Sequence, residues 1–78
     1  MATKYVQPPP LPPHPWPRKL RRARIDRGLS QRALARLAGL AVGVIIKLEK
    51  GHGSIESFER VCEVLGVDPA YIASRHSA

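Results

Sequence analysis

An all-α fold, five short helices behind a proline-rich extended arm, is the class this sequence predicts, and three observations predict it. Residues 1 to 17 hold seven of the eight prolines. After Pro17 the apolar residues recur at three- and four-residue spacing, with Gly28, Gly39, Gly51 and Gly66 at helix-stop positions. The one stretch that could pass for a buried strand, Val42-Gly43-Val44-Ile45-Ile46, has no second β-branched run to pair with. The organisation that follows is an arm over residues 1–17, a helical domain over 18–74 and a tail over 75–78.

The arm contains "QPPPLPPHPWP". Proline removes an amide donor and fixes φ, so this segment is expected to be extended and polyproline-like. The run lacks a basic residue at the spacing of a typical proline-groove ligand, which favours a spacer over a partner-binding motif. Trp16 either stacks on a base or partner, or folds back over the core as a lone tryptophan beside a small domain more often does.

Leu20 and Ala23 form the apolar stripe of a first helix over about residues 17 to 27, whose other faces are arginine and whose stop is Gly28. Ser30 is a good N-cap for a second helix, which turns Leu34, Ala35 and Ala38 inward and ends at Gly39. A three-residue turn, Gly39-Leu40-Ala41, leads into a third helix of eight or nine residues. There Ile45 and Leu48 face inward, and Glu49 and Lys50 are helix formers that two-sided strand burial would not tolerate. Ser54 caps a fourth helix with Ile55, Phe58, Val61, Cys62 and Leu65 on its inner stripe and Glu56, Glu59 and Glu63 opposite. Cys62 on that stripe reads as a small core residue, not a reactive thiol. Asp68-Pro69 opens a short fifth helix through Tyr71 and Ile72.

Charge narrows the partner. The net charge is +7, and residues 18–36 carry eight basic side chains against Asp26 alone, whereas residues 37–78 carry four against five acids. So one-sided a distribution suits a chain that meets a polyanion from one direction, set against the plain alternative of a solvated basic face. A single cysteine excludes an intramolecular disulfide and suits a reducing compartment. No apolar run approaches the ~18 residues of a membrane span, and the prolines are unlike a secretory leader, so a soluble cytoplasmic protein with no membrane partner is expected. A domain this small buries only about 60% of its unfolded surface and leaves little room for an enclosed active site. His14, His52 and His76 fall in the arm, a loop and the tail, without metal-ligand spacing, and no nucleophile sits beside a base. Neither an enzyme nor a metal or other cofactor is expected.

A helix capped at Ser30, a glycine turn and a second short helix make a helix-turn-helix. The chain here resembles the Cro/C1-type (Xre) family of five-helix, lambda-repressor-like DNA-binding domains. The matching residues are Leu20, Arg21 and Arg24, "GLSQ" at 28–31, Leu34-Ala35, Gly39-Leu40, Ile45, Leu48-Glu49 and Gly51, then "LGV" at 65–67. The resemblance implies an ion pair between Arg24 and Glu49 joining the first and third helices. It also implies phosphate contacts at Gln31, Lys47 and Lys50, with Arg32 close enough to join them, and base or groove contacts at Val42, Gly43, Val44, Ile46 and Lys47 of a helix lying in the major groove.

The departures from the family pattern matter as much. Positions 41 to 44 and 46 usually carry hydrogen-bonding side chains, and here they carry none. Ala41 is a poor N-cap, and the Gly51-His52-Gly53 loop is short, with His52 either near a phosphate or simply exposed. Three readings of the apolar helix stay open. Its valines touch thymine methyls while Gly43 permits close approach. Sequence choice comes instead from DNA shape, with the arm in the minor groove. Or the face binds protein. The function expected is a sequence-specific regulator of transcription, a bacterial or phage repressor binding double-stranded DNA as a homodimer through the helix 5 region. The alternative is an antitoxin-like or adaptor module that holds a protein partner.

Overall fold

A computed structural model describes residues 15–73 of the chain. They form α1 (Trp16–Asp26), α2 (Gln31–Ala38), α3 (Val42–Leu48), α4 (Ile55–Leu65) and α5 (Pro69–Ala73), with no strand among the described residues. Most of the arm and the whole tail lie outside those residues. Helix α1 takes in Trp16 and Pro17, so it begins two residues inside the predicted arm. Proline at the start of a helix loses no hydrogen bond, because the first amides have no partner within the helix.

Local chemistry sets most helix ends. The Ser30 hydroxyl accepts from Ala33 N at 3.0 Å, and the Ser54 hydroxyl accepts from Ser57 N at 3.1 Å. Asp68 Oδ1 accepts from Ala70 N at 2.9 Å and opens α5. Helix α2 closes on Gly39 at φ 69°, a left-handed conformation that an L side chain resists. Helix α3 has no side-chain cap at Ala41 and stops at Leu48, shorter than the spacing predicts. The reason lies in the turn that follows, where Gly51 N bonds Leu48 O at 3.0 Å and His52 N bonds Lys47 O at 2.9 Å, tightening the chain out of the helix.

The core is one cluster to which every helix contributes. Leu20, Leu34, Ile45, Leu48, Val61, Cys62, Leu65 and Ile72 are each under 2% exposed. At ~1.5–3 kcal/mol for each large side chain, their burial is the main force fixing how the helices sit together. Burial pushes the Cys62 thiol up to about 11 from its ordinary 9.0, with Asp68 and Glu59 adding repulsion, so the thiolate is suppressed. Trp16 packs edge-on against Phe58, ring centroids 5.2 Å apart at 81°, and so covers the core from the start of α1. Helix α5 is fastened to α1 by Lys19, whose Nζ donates to the Tyr71 carbonyl at 3.2 Å and lies 4.6 Å from the Tyr71 ring centroid.

Ile55 corrects the sequence reading. It is 65% exposed, because it is the first residue of α4 and the core ends one turn later at Phe58.

Candidate nucleic-acid interface

Arg24 organises the face where α1, α2 and α3 meet. Its Nε donates to Glu49 Oε2 at 2.6 Å and its Nη2 to Glu49 Oε1 at 3.2 Å, while Nη1 donates to the Leu29 carbonyl at 2.7 Å. The guanidinium thus ties the end of α1 to the turn before α2 and to the residue that closes α3. Both side chains are nearly buried, 10% and 5% exposed, so removing either partner strands a charge. Gln31, the first residue of α2, joins the same carboxylate through Nε2 at 3.1 Å from Oε1. One carboxylate therefore fixes three helices, and Gln31 keeps a second amide hydrogen to offer outward.

Beside this clamp lies a polar notch of about 420 Å³ lined by Arg21, Arg24, Ser30, Gln31, Ile46, Glu49 and Lys50. Arg24 already neutralises the one acid there. The remaining charges are the cations Arg21 and Lys50, set around the first turn of α2, whose exposed amides favour an anion. Arg21 was not singled out for this place from the sequence. Its signal was the three-residue spacing to Arg24, which puts both on one edge of α1 once Arg24 is directed at α3. Gln31 and Lys50 come together at the notch, whereas Arg32 is exposed on α2 and is not among its lining residues.

Helix α3 divides its apolar residues between two directions. Ile45 and Leu48 are buried, and Val42 and Val44 are half-buried and packed against the core. The outer stripe is Gly43, Ile46, Lys47 and then Lys50, spaced i, i+3, i+4 and i+7, with Ile46 half-buried and the others exposed. Of the five residues expected in a groove, Gly43, Ile46 and Lys47 share this stripe, and the two valines flank it with much of their surface turned inward. Among the described residues, a Cβ added at Gly43 would meet no heavy atom within 4 Å, so no contact there asks for glycine.

The acids Glu56, Glu59 and Glu63 are all exposed on α4 and do not line the notch. His52 is exposed in the loop after α3. Among the described residues no group of three or more His, Cys, Asp or Glu could hold a metal ion, and no helix is long and apolar enough to cross a membrane.

Comparison with protein families gives a match to this chain. The family model described as helix-turn-helix covers residues 20–72, from the first buried leucine of α1 to the buried isoleucine of α5. No curated protein matches the chain.

Proposed function

This chain belongs to the Cro/C1-type helix-turn-helix (Xre) family of DNA-binding regulators, and from that premise we propose that it is a sequence-specific repressor of transcription that occupies its operator as a homodimer. Helix α3 enters the major groove along its outer stripe, and Gln31, Lys47, Lys50 and Arg32 contact phosphates. The observation that carries this reading is the continuity of the notch, at the start of α2, with the lysine-bearing stripe of α3. It forms an anion-accepting surface beside a groove-sized helix, and none of the exposed acids, Asp26, Glu56, Glu59, Glu63 and Asp68, lines the notch.

The outer stripe also suggests how bases are met. Glycine in a helix costs up to about 1 kcal/mol relative to alanine, less in the first turn where Gly43 sits, and no contact among the described residues requires glycine there. Close approach of the α3 backbone to the groove floor is a use that fits. Ile46 and the outer edges of Val42 and Val44 then lie near thymine methyls, and Lys47 supplies a donor to guanine or phosphate. The partial burial of both valines leaves less apolar surface for a protein partner than the sequence suggests. This weighs against the antitoxin-like or adaptor reading. One α3 spans only a few base pairs, so two half-sites about one helical turn apart are expected, with the exposed Tyr71 near the contact between copies and Ile72 held in the core beneath it.

Selection of bound sites from a random duplex pool tests the proposal. An enriched palindrome supports a symmetric operator, and recovery of no preferred sequence overturns sequence-specific binding. With three cationic phosphate contacts per protomer, Arg32, Lys47 and Lys50, the affinity should fall with salt at a log–log slope of about −3 per protomer, the neutral Gln31 adding nothing to it. Lys47→Ala and Lys50→Ala should each reduce that slope by about 1.

A further inference from the structure

A second feature owes nothing to the DNA-binding reading. A largely apolar groove of about 250 Å³ is walled by Trp16, Leu48, Gly53, Ile55, Phe58 and Ala73, with Ser54 its one polar side chain among the described residues, and shares no lining residue with the polar notch. In a chain of net charge +7, no charged side chain of the described residues lines it. Two aromatic rings stand in its wall, and Ile55 stands 65% exposed on it where the first position of α4 would accept any polar residue. Gly53, at φ 142°, brings the α3–α4 loop so close that a Cβ there would come within 2.7 Å of Leu48 Cδ2.

The sequence just ahead of Trp16 matches this surface. Residues 7–13 read "QPPPLPP", uncharged and apolar after Gln7, and they end three residues before a wall of the groove. Extended proline segments dock on aromatic-lined grooves because their conformation is set beforehand and little entropy is lost on binding. At about 3.1 Å per residue, residues 7–13 reach about 22 Å, ample to turn back across a groove that starts at their own tether. A tether this short holds the segment at an effective concentration in the millimolar range, so even weak docking is populated. The polar tail that follows Ala73, with Arg75 and His76, lacks this chemistry.

We infer that the proline segment, residues 7–13, docks in the groove of its own chain, seated on Trp16, Phe58 and Ile55. The docked segment covers the exposed Ile55 and caps the core at the start of α1. It is thereby held on the domain and is not free to enter a DNA minor groove.

The test is solution NMR of the full 78-residue chain without DNA. Contacts between the Leu11 methyls and the Ile55 side chain or Trp16 indole are expected, at strengths independent of protein concentration. A variant with serine at Pro8, Pro9, Pro10, Pro12 and Pro13, keeping Leu11 as the reporter, leaves the described helices untouched. It should lose those contacts, shift the Ser54, Ile55 and Ala73 amides, and move the emission of Trp16, the chain's lone tryptophan, to the red. Ile55→Ser, at an exposed site, should release the segment in the same way. Absence of the contacts, with amide positions unchanged in the serine variant, overturns the inference. So does finding them only between differently labelled copies, which would mean that the arm is exchanged within a dimer.

Discussion

Helices α2 and α3 are neighbours of nearly equal length, Gln31–Ala38 and Val42–Leu48, yet they are specified in opposite ways. Helix α2 carries its own boundaries, a serine bonded to its first turn and a left-handed glycine at its end. Helix α3 has no side-chain cap, a glycine at its second position and a tight turn after Leu48. An isolated segment of that length is far too short to be helical alone. What holds it lies outside it. Ile45 and Leu48 reach into the core, Val42 and Val44 lean on it, and Glu49 is gripped by Arg24 from α1 and Gln31 from α2. The difference teaches that the helix proposed to read DNA is placed by tertiary contacts, leaving its outer residues free of any duty to the fold.

The largest test of that contrast is to release the external grip. Glu49→Ala leaves the Arg24 guanidinium, 10% exposed, without its carboxylate and frees Gln31 at the same time. A loss of about 3–5 kcal/mol is expected, enough to consume much of a small domain's stability, read as a fall in the urea midpoint. Replacing both charges together, Arg24→Met with Glu49→Leu, should restore much of it, since the penalty comes from the stranded charge. If Glu49→Ala cost no more than an exposed ion pair, under about 1 kcal/mol, α3 would not depend on this clamp.

The same contrast explains what the sequence disclosed. Caps are local chemistry, so Ser30, Ser54 and Asp68 announce their helices within three residues, and Gly39 and Gly66 their ends. The family pattern then placed Arg24 near Glu49 across 25 positions. The direction of α3's apolar residues was less legible. A seven-residue helix bearing five apolar side chains has no single dominant stripe, so which of Val42, Val44 and Ile46 turns inward depends on the core they lean on. The bond from Gln31 to Glu49 and the place of Arg21 in the notch are likewise tertiary. Ile55 misled because periodicity continues past the end of the surface it packs on.

A middle-sized effect should come from the boundary between the two helices. Gly39→Ala must hold an L side chain at φ 69°, although a Cβ there would meet nothing nearer than Arg60 Nη1 at 3.7 Å. The cost is therefore conformational, about 1–2 kcal/mol in chemical denaturation, and Gly39→Asn should cost less because asparagine tolerates this region. A loss well beyond that range would mean that Gly39 also secures the angle between α2 and α3, and not α2 alone. Ser30→Ala, which removes the cap at the other end of α2, should cost about 1 kcal/mol.

The smallest effects run the other way, and they bear most directly on function. Ala41 has the extended backbone of an N-cap, φ −71° and ψ 148°, without the hydroxyl, so Ala41→Ser should gain up to about 1 kcal/mol by accepting a bond from the first turn of α3. Gly43→Ala should also gain, by up to about 1 kcal/mol, because its added methyl enters open space in the first turn of α3. The two substitutions part company on DNA. A serine at the cap leaves the outer stripe of α3 unchanged and should preserve affinity. A methyl at 43 stands on that stripe between α3 and the groove floor, and should weaken binding to the selected operator while raising the thermal midpoint. Should Gly43→Ala stabilise the domain and bind its operator as tightly as before, the glycine serves no close approach, and α3 must meet the groove through Ile46 and Lys47 alone.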